Sequence, residues 1–175
     1  MLTRRGTLLA GLGLAAPGLA PPALATAPRS KTLSFHNLHT GEALTIEYWQ
    51  NGAIPNDAAA AIDHILRDHR TGEVHAIDVG LLDLLHNLAF ELQSRRPFQI
   101  TSGYRSPQTN TALADASSGV ARRSLHMQGM AIDVAIEGVA ISALRDAALA
   151  LRGGGVGYYP GPGFVHVDVG RVRQW

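Results

Sequence analysis

Apolar and polar residues alternate with period two over Thr32-Leu33-Ser34-Phe35-His36 and again over Ala43 to Trp49, with the polar stretch Asn37 to Gly41 between them. That spacing predicts a hairpin with a longer turn, both of its strands edge-like. The period then changes. Ala60, Ile62, Ile65 and Leu66 recur near helical spacing, so a helix capped by Asn56 is expected to continue to a stop at Thr71-Gly72. A stronger helix follows behind the cap residue Asp78, with Leu81, Leu82, Leu84, Leu85, Leu88, Ala89 and Leu92 forming a wide apolar face. These two helices are expected to be the main packing layer.

Pro97 ends that run, and Phe98 to Ser102 reads as a short strand entering Gly103-Tyr104-Arg105-Ser106-Pro107. A helix over Pro107 to Ala116 and a polar loop over Ser117 to Ser124 come next. Met130, Ile132, Val134 and Ile136 then share one face of a strand, with Ala131, Asp133 and Ala135 on the other. A helix over Ile141 to Arg152 stops at Gly153-Gly154-Gly155, and strands Val156 to Tyr159 and Phe164 to Val169 flank the turn Pro160-Gly161-Pro162-Gly163. This order predicts an α+β fold: an antiparallel sheet of about four to six strands with helices packed on one face and an open site on the other. No internal repeat interrupts it.

The first residues read differently. Thr3-Arg4-Arg5-Gly6-Thr7-Leu8-Leu9 is a twin-arginine start, followed by the glycine-rich apolar run Leu8 to Leu19 and the small-residue site Ala23-Leu24-Ala25. An uncleaved membrane anchor is the competing reading, but a bilayer needs about 20 apolar residues. Gly11, Gly13, Pro17 and Gly18 also make a poor membrane helix. Residues 1–25 are thus expected to be an export signal, and residues 26–175 a single domain with no stable membrane insertion. The formal charge of +1 includes the two early arginines, and no basic block of the kind a nucleic-acid binder uses is present. The chain has no cysteine, which suits an oxidising periplasm or cell envelope and leaves metal binding to histidine and carboxylate.

Chemistry concentrates in Ser124-Leu125-His126-Met127-Gln128-Gly129-Met130-Ala131-Ile132-Asp133 and in Phe164-Val165-His166-Val167-Asp168. Strand alternation puts Val165 and Val167 on one face and His166 and Asp168 on the other, roughly 7 Å apart. It also sets Asp133 between the small residues Ala131 and Ala135, presented rather than buried. Gly129 lets the backbone turn so that His126 and Asp133 aim at one point. Two histidines and a carboxylate leave a tetrahedral zinc ion with a fourth position for water, whose pKa the ion lowers. Taken singly, each residue also has an ordinary reading, a histidine as a core or surface hydrogen-bonding group and Asp133 as a turn or cap residue. The remaining histidines, His36, His39, His64, His69, His75 and His86, are read as non-ligands, His39 in its turn being the nearest to an exception.

At these residues the chain resembles the peptidase M15 superfamily, zinc enzymes that include D-Ala-D-Ala carboxypeptidases, dipeptidases and murein endopeptidases and share a core with the Hedgehog signalling domain. Ser124, His126, Gly129 and Asp133 match its Ser-x-His, glycine and aspartate pattern, His166 its late histidine, and Ser102-Gly103-Tyr104-Arg105 its upstream turn. The resemblance is nearest to the murein endopeptidase K subfamily and extends to Asn37-Leu38-His39-Thr40-Gly41-Glu42, Gly154 to Pro160 and Trp175. It implies one Zn2+ held by His126, Asp133 and His166, with Arg105 stabilising the oxyanion. It also implies substrate contacts from Tyr104 and Ser124, the latter alternatively fixing the His126 loop. Many members carry a general base just before the last zinc histidine, but Gly163 and Phe164 stand there. Asp168 is nominated instead, as base or as the partner that orients a ligand, with Glu137 a weaker candidate.

The expected function is zinc-dependent hydrolysis of peptide cross-links in peptidoglycan. One rival is a D-Ala-D-Ala carboxypeptidase or dipeptidase, with Arg122 or Arg123 holding the terminal carboxylate. The other is a zinc-containing peptidoglycan-binding module without turnover.

Overall fold

The alternating segments form the hairpin β1 (Ser30–Asn37) and β2 (Ala43–Gln50) in the computed structural model, which describes residues 30–117 and 119–175. Asn37 organises the turn. Its Oδ1 accepts from the N–H groups of His39 (3.0 Å) and Thr40 (3.2 Å), while its Nδ2 donates to the Ile65 carbonyl (3.0 Å). The export segment expected over residues 1–25 lies outside the described residues. Among those described, no helix is long and apolar enough to cross a membrane.

Helix α1 (Asn56–Ile65) begins one residue earlier in its capping than expected, because Pro55 is the N-cap and Asn56 is already helical. It also stops well short of Thr71. The chain after Leu66 is claimed by Asp68, which is buried and makes a polar junction with a distant segment. Its Oδ2 accepts from the N–H (2.9 Å) and Oγ (2.8 Å) of Ser106, and its Oδ1 from the N–H of Arg70 (2.9 Å). A buried carboxylate needs such partners, and a continuing helix would withdraw it from them. Helix α2 (Val79–Glu91) starts as predicted, with Asp78 accepting from the Gly80 N–H at 2.7 Å.

The remaining elements are β3 (Phe98–Ser102), α3 (Pro107–Ala116), a 3₁₀ turn over Leu125–Gln128, β4 (Ala131–Ile136), α4 (Ile141–Leu151), β5 (Gly155–Tyr159), β6 (Phe164–Asp168) and the short β7 (Arg173–Gln174). Helix α4 ends on Arg152 in the left-handed conformation (φ 52°), ahead of the glycines expected to stop it. Strand β7 has no counterpart in the sequence reading, since two residues carry no period.

Among the described residues seven strands form one sheet in the order β2-β1-β3-β4-β6-β5-β7. The sheet is mixed rather than antiparallel, since β1 runs parallel to β3 and β5 parallel to β7. The first exception follows from connectivity: two helices separate β2 from β3, and a crossover of that length permits a parallel return. It also moves β1 inward, so only β2 of the hairpin is an edge.

The packing layer differs from expectation as well. Helix α2 contacts α4 and β1, α4 covers β4, β5 and β6, and α1 lies against β2. Leu81, Leu85, Leu88, Leu144 and Ala148 join Ile132, Val134, Ile136, Val165 and Val167 in a single core. Burying each large side chain stabilises the fold by about 1.5–3 kcal/mol. The alternation that sends these residues inward sends Asp133, His166 and Asp168 to the other face.

Asp68 ties the α1 exit to the Gly103–Ser106 turn. Burial opposes its ionisation, but bonds from Thr109, Ser106 and Arg70 outweigh that and hold its carboxyl below the ordinary range. A depressed folded-state pKa gives stability that is full above the unfolded value and is lost as pH falls. Asp68→Ala is therefore expected to cost about 1–3 kcal/mol at neutral pH in denaturant unfolding. That penalty should shrink below about pH 4.

Candidate metal centre

Strand β6 lies between β4 and β5, so His166 pairs with Asp133 on one side and with Gly157 on the other. Ser102 of β3 pairs with Asp133 from beyond it, completing a row across the sheet. His126 enters from above this row. The Ser124 Oγ accepts from the His126 N–H (3.4 Å) at the start of the 3₁₀ turn, and Gly129 closes the turn at φ 66°. Gly129 is needed twice over: for that conformation, and because a Cβ there would lie 2.2 Å from the Ala76 carbonyl oxygen.

Three atoms converge. His166 Nδ1 is 2.8 Å and His126 Nε2 3.3 Å from Asp133 Oδ1, and the two ring nitrogens are 3.1 Å apart. Among the described residues these three form the one group of histidines and acids with metal-ligand geometry. Each ring's other nitrogen is committed elsewhere. His126 Nδ1 sits 2.7 Å from the Gly103 carbonyl and His166 Nε2 3.0 Å from Asp168 Oδ2, both acceptors, so both of these nitrogens carry the hydrogen. In the neutral form that a metal binds, the remaining nitrogens of the two rings point lone pairs at the same carboxylate oxygen. Three acceptors this close repel one another unless a proton or a metal cation sits among them, and a divalent ion is the partner that can satisfy all three at once.

The surroundings act on the two rings in opposite directions. Burial pushes the His126 pKa down, against the pull of Asp133. Burial also works on His166, but there Asp133 and Asp168 prevail and raise it. Both carboxylates are held well below the usual range: burial alone would raise them, and the histidines, with Arg173 on Asp168, outweigh it. Asp133 is not presented to solvent as the alternation suggested. It is 3 % exposed, because Arg105 and both histidines close over it.

Arg105 donates through Nη2 to Asp133 Oδ2 and through Nε to Ser102 Oγ (2.8 Å), leaving Nη1 without a protein hydrogen bond among the described residues. It lines the same cleft as Ser124 and the three candidate ligands. Tyr104 does not. Its ring is buried against His75 at 4.7 Å and its hydroxyl donates to Glu73 (2.7 Å). His39 stacks on His69 at 3.8 Å, outside the metal group, and Glu137 pairs on the surface with Arg96.

Asp168 is 0 % exposed and saturated. Besides His166 it accepts from Gly155 N–H (2.9 Å), Gly170 N–H (2.9 Å), and Arg173 Nη1 (3.0 Å) and Nη2 (2.7 Å). Arg173, which also lines the cleft, escaped the sequence reading, and Trp175, matched there as part of the family resemblance, was given no role in the site. A usable signal was present in Gly155 and Gly157, two glycines at period two on a strand, which mark a close approach by something else. A Cβ on Gly155 would meet Arg173 Nη1 at 2.3 Å and Asp168 Oδ2 at 2.5 Å.

The model of the family described as peptidoglycan L,D-endopeptidase MepK matches residues 25–175. The chain belongs to this family, within peptidase M15. It is 44 % identical over 174 residues to the peptidoglycan L,D-endopeptidase MepK of Escherichia coli (strain K12), covering 98 % of this chain and 96 % of that one. The protein of the same name from Shigella flexneri matches to the same extent. A probable peptidoglycan L,D-endopeptidase MepK from Haemophilus influenzae is 38 % identical over 154 residues, 87 % of this chain and 83 % of the relative. No solved structure matches. Membership makes the chain a metallopeptidase, and the His126, Asp133 and His166 group fits a metal ion.

Gly129→Ala should force the turn away from Ala76. The expected result is a loss of about 2–4 kcal/mol in unfolding free energy, from overpacking and a strained φ together. Metal affinity, measured by competition with a chromogenic chelator, should fall with it.

Proposed function

We propose that this chain is a zinc-dependent endopeptidase of the cell envelope that cuts L,D cross-links in peptidoglycan, between the carbonyl of an L-centre and the nitrogen of a D-centre. The observation that carries the reading is the convergence of His126 Nε2, His166 Nδ1 and Asp133 Oδ1, with both imidazoles fixed in the tautomer a metal requires. The relatives' activity supplies the substrate class. These three residues would hold one Zn2+ per chain. When bound, the ion supplies a Lewis acid that polarises the scissile carbonyl and lowers the pKa of water.

The chain's own residues do the rest. Arg105 holds Asp133 Oδ2, which keeps that carboxylate turned so that only Oδ1 faces the histidines. Its Nη1 is the donor available to a carbonyl oxygen that gains negative charge, a task suited to a guanidinium that stays ionised. Ser124 fixes the His126 turn through its Oγ. Asp168 is a positioning residue rather than the base: its oxygens are filled by five donors and it has no exposed surface. Its charge raises the basicity of His166 and pins the ring. Residues 1–25 would act as a twin-arginine export signal that delivers the domain of residues 26–175 to the periplasm, where its substrate lies.

Digestion of purified sacculi tests the reading. Loss of cross-linked muropeptide dimers, abolished by chelator and restored by zinc, is the expected result. Release of single terminal residues would instead establish the carboxypeptidase rival, and tight binding without cleavage the non-catalytic one.

Asp168→Asn separates its two roles. As a positioning residue, its loss of charge should weaken zinc affinity about 10–100-fold, and excess zinc should recover turnover. Full zinc content with no recoverable turnover would instead make Asp168 the base.

A further inference from the structure

We infer that Trp175 is the specificity-determining wall of the metal cleft, an indole fixed beside His166 to take the peptide of the cross-link. This rests on the peptidase reading above.

Trp175 is half exposed, at 50 %, yet held from several directions. Its Nε1–H donates to the Tyr159 hydroxyl (2.7 Å), and the Arg173 guanidinium lies 4.8 Å from the ring centroid. Its backbone continues the pairing with β5, accepting from the Tyr158 N–H (3.0 Å) and donating to the Val156 carbonyl (3.2 Å). The ring stands 5.2 Å from the His166 imidazole, centroid to centroid. With the backbone paired and the ring held at its edge and over one face, half of the indole is nonetheless left open, a fixed aromatic surface. Restraint before binding lowers the entropy lost on binding, which is how a recognition surface gains affinity.

The sheet makes room for it. Gly157 occupies the β5 place next to His166, and a Cβ there would lie 2.8–2.9 Å from three atoms of the indole. The side chain that should stand beside the ligand is thus replaced by the Trp175 ring. Tyr159 and Phe164, stacked at 4.7 Å, extend the same aromatic surface along the cleft. Such a surface matches the planar amides and aliphatic stems of a cross-link peptide.

Arg173 touches both systems, with its guanidinium over the indole and its two terminal nitrogens on Asp168. Removing Trp175 leaves the bonds from Arg173 to Asp168 and from Asp168 to His166 in place. Wall and metal should therefore separate experimentally.

Trp175→Ala is expected to retain zinc and its melting temperature and to raise KM on cross-linked muropeptide dimers about tenfold, equivalent to about 1.4 kcal/mol, with kcat within about twofold. Gly157→Ala should shift KM in the same direction with Trp175 still present, which covers the case of a Trp175→Ala protein that fails to fold. A second readout needs no turnover. In a Trp49→Phe background the fluorescence of Trp175 should shift when the dimers are added to zinc-loaded or chelated protein, and Gly157→Ala should diminish that response. Unchanged KM in a folded, zinc-bearing Trp175→Ala enzyme, or loss of zinc in step with activity, overturns the inference. If the unsubstituted zinc protein fails to cut the dimers, the peptidase reading fails instead, and an absent fluorescence response would then remove the wall with it.

Discussion

Everything on the open face of this sheet answers to one repulsion. Two imidazole nitrogens and a carboxylate oxygen are held within 3.3 Å of one another, and with both rings neutral all three are acceptors. The arrangement persists because each group is restrained from behind: His126 by the Gly103 carbonyl, His166 by Asp168, and Asp133 by Arg105. The restraints are themselves anchored, Asp168 by Arg173 and two backbone amides, and the Gly103 to Ser106 turn by Asp68. A cation turns the repulsion into attraction. The rest of the fold can be read as the apparatus that holds the three acceptors still until one arrives.

The apolar side of the sheet supplies the stiffness. Asp133 and His166 alternate with Ile132, Val134, Val165 and Val167, so these two candidate ligands cannot rotate away without exposing the core. A one-residue slip of β6 against β4 would put valines at the site and a histidine under α4. Register is thus enforced by hydrophobic burial, which is far larger than any single polar contact in the cleft.

What the chain discloses in its sequence follows the range of the forces involved. The hairpin, α2 with its Asp78 cap, α3, and strands β3 to β6 were readable because period and capping are local. The grouping of His126, Asp133 and His166 was readable because strand alternation and a turn glycine place them from nearby residues. Long-range contacts were not readable. The early end of α1 depends on Asp68 meeting Ser106, 38 residues away, and the inward position of β1 depends on where β3 returns. Asp133 reads as presented because nothing local reveals that Arg105 will cover it. The saturation of Asp168 depends on Arg173, which belongs to a two-residue strand with no pattern of its own. For Tyr104 the motif gave proximity to Arg105, but a side chain that alternates away from its neighbour packs against His75 instead.

The glycines of β5 have a consequence for how such a cleft can change. At Gly157 the sheet contributes no side chain beside His166, and the surface there is borrowed from Trp175, outside the 3₁₀ turn and the two strands that carry the three candidate ligands. With Trp175 in its proposed role, substitutions in the borrowed part would alter which peptide fits while β4 and β6 keep their sequence and register. Binding preference and metal retention would then be inherited on separate pieces of chain, so that one could vary without putting the other at risk.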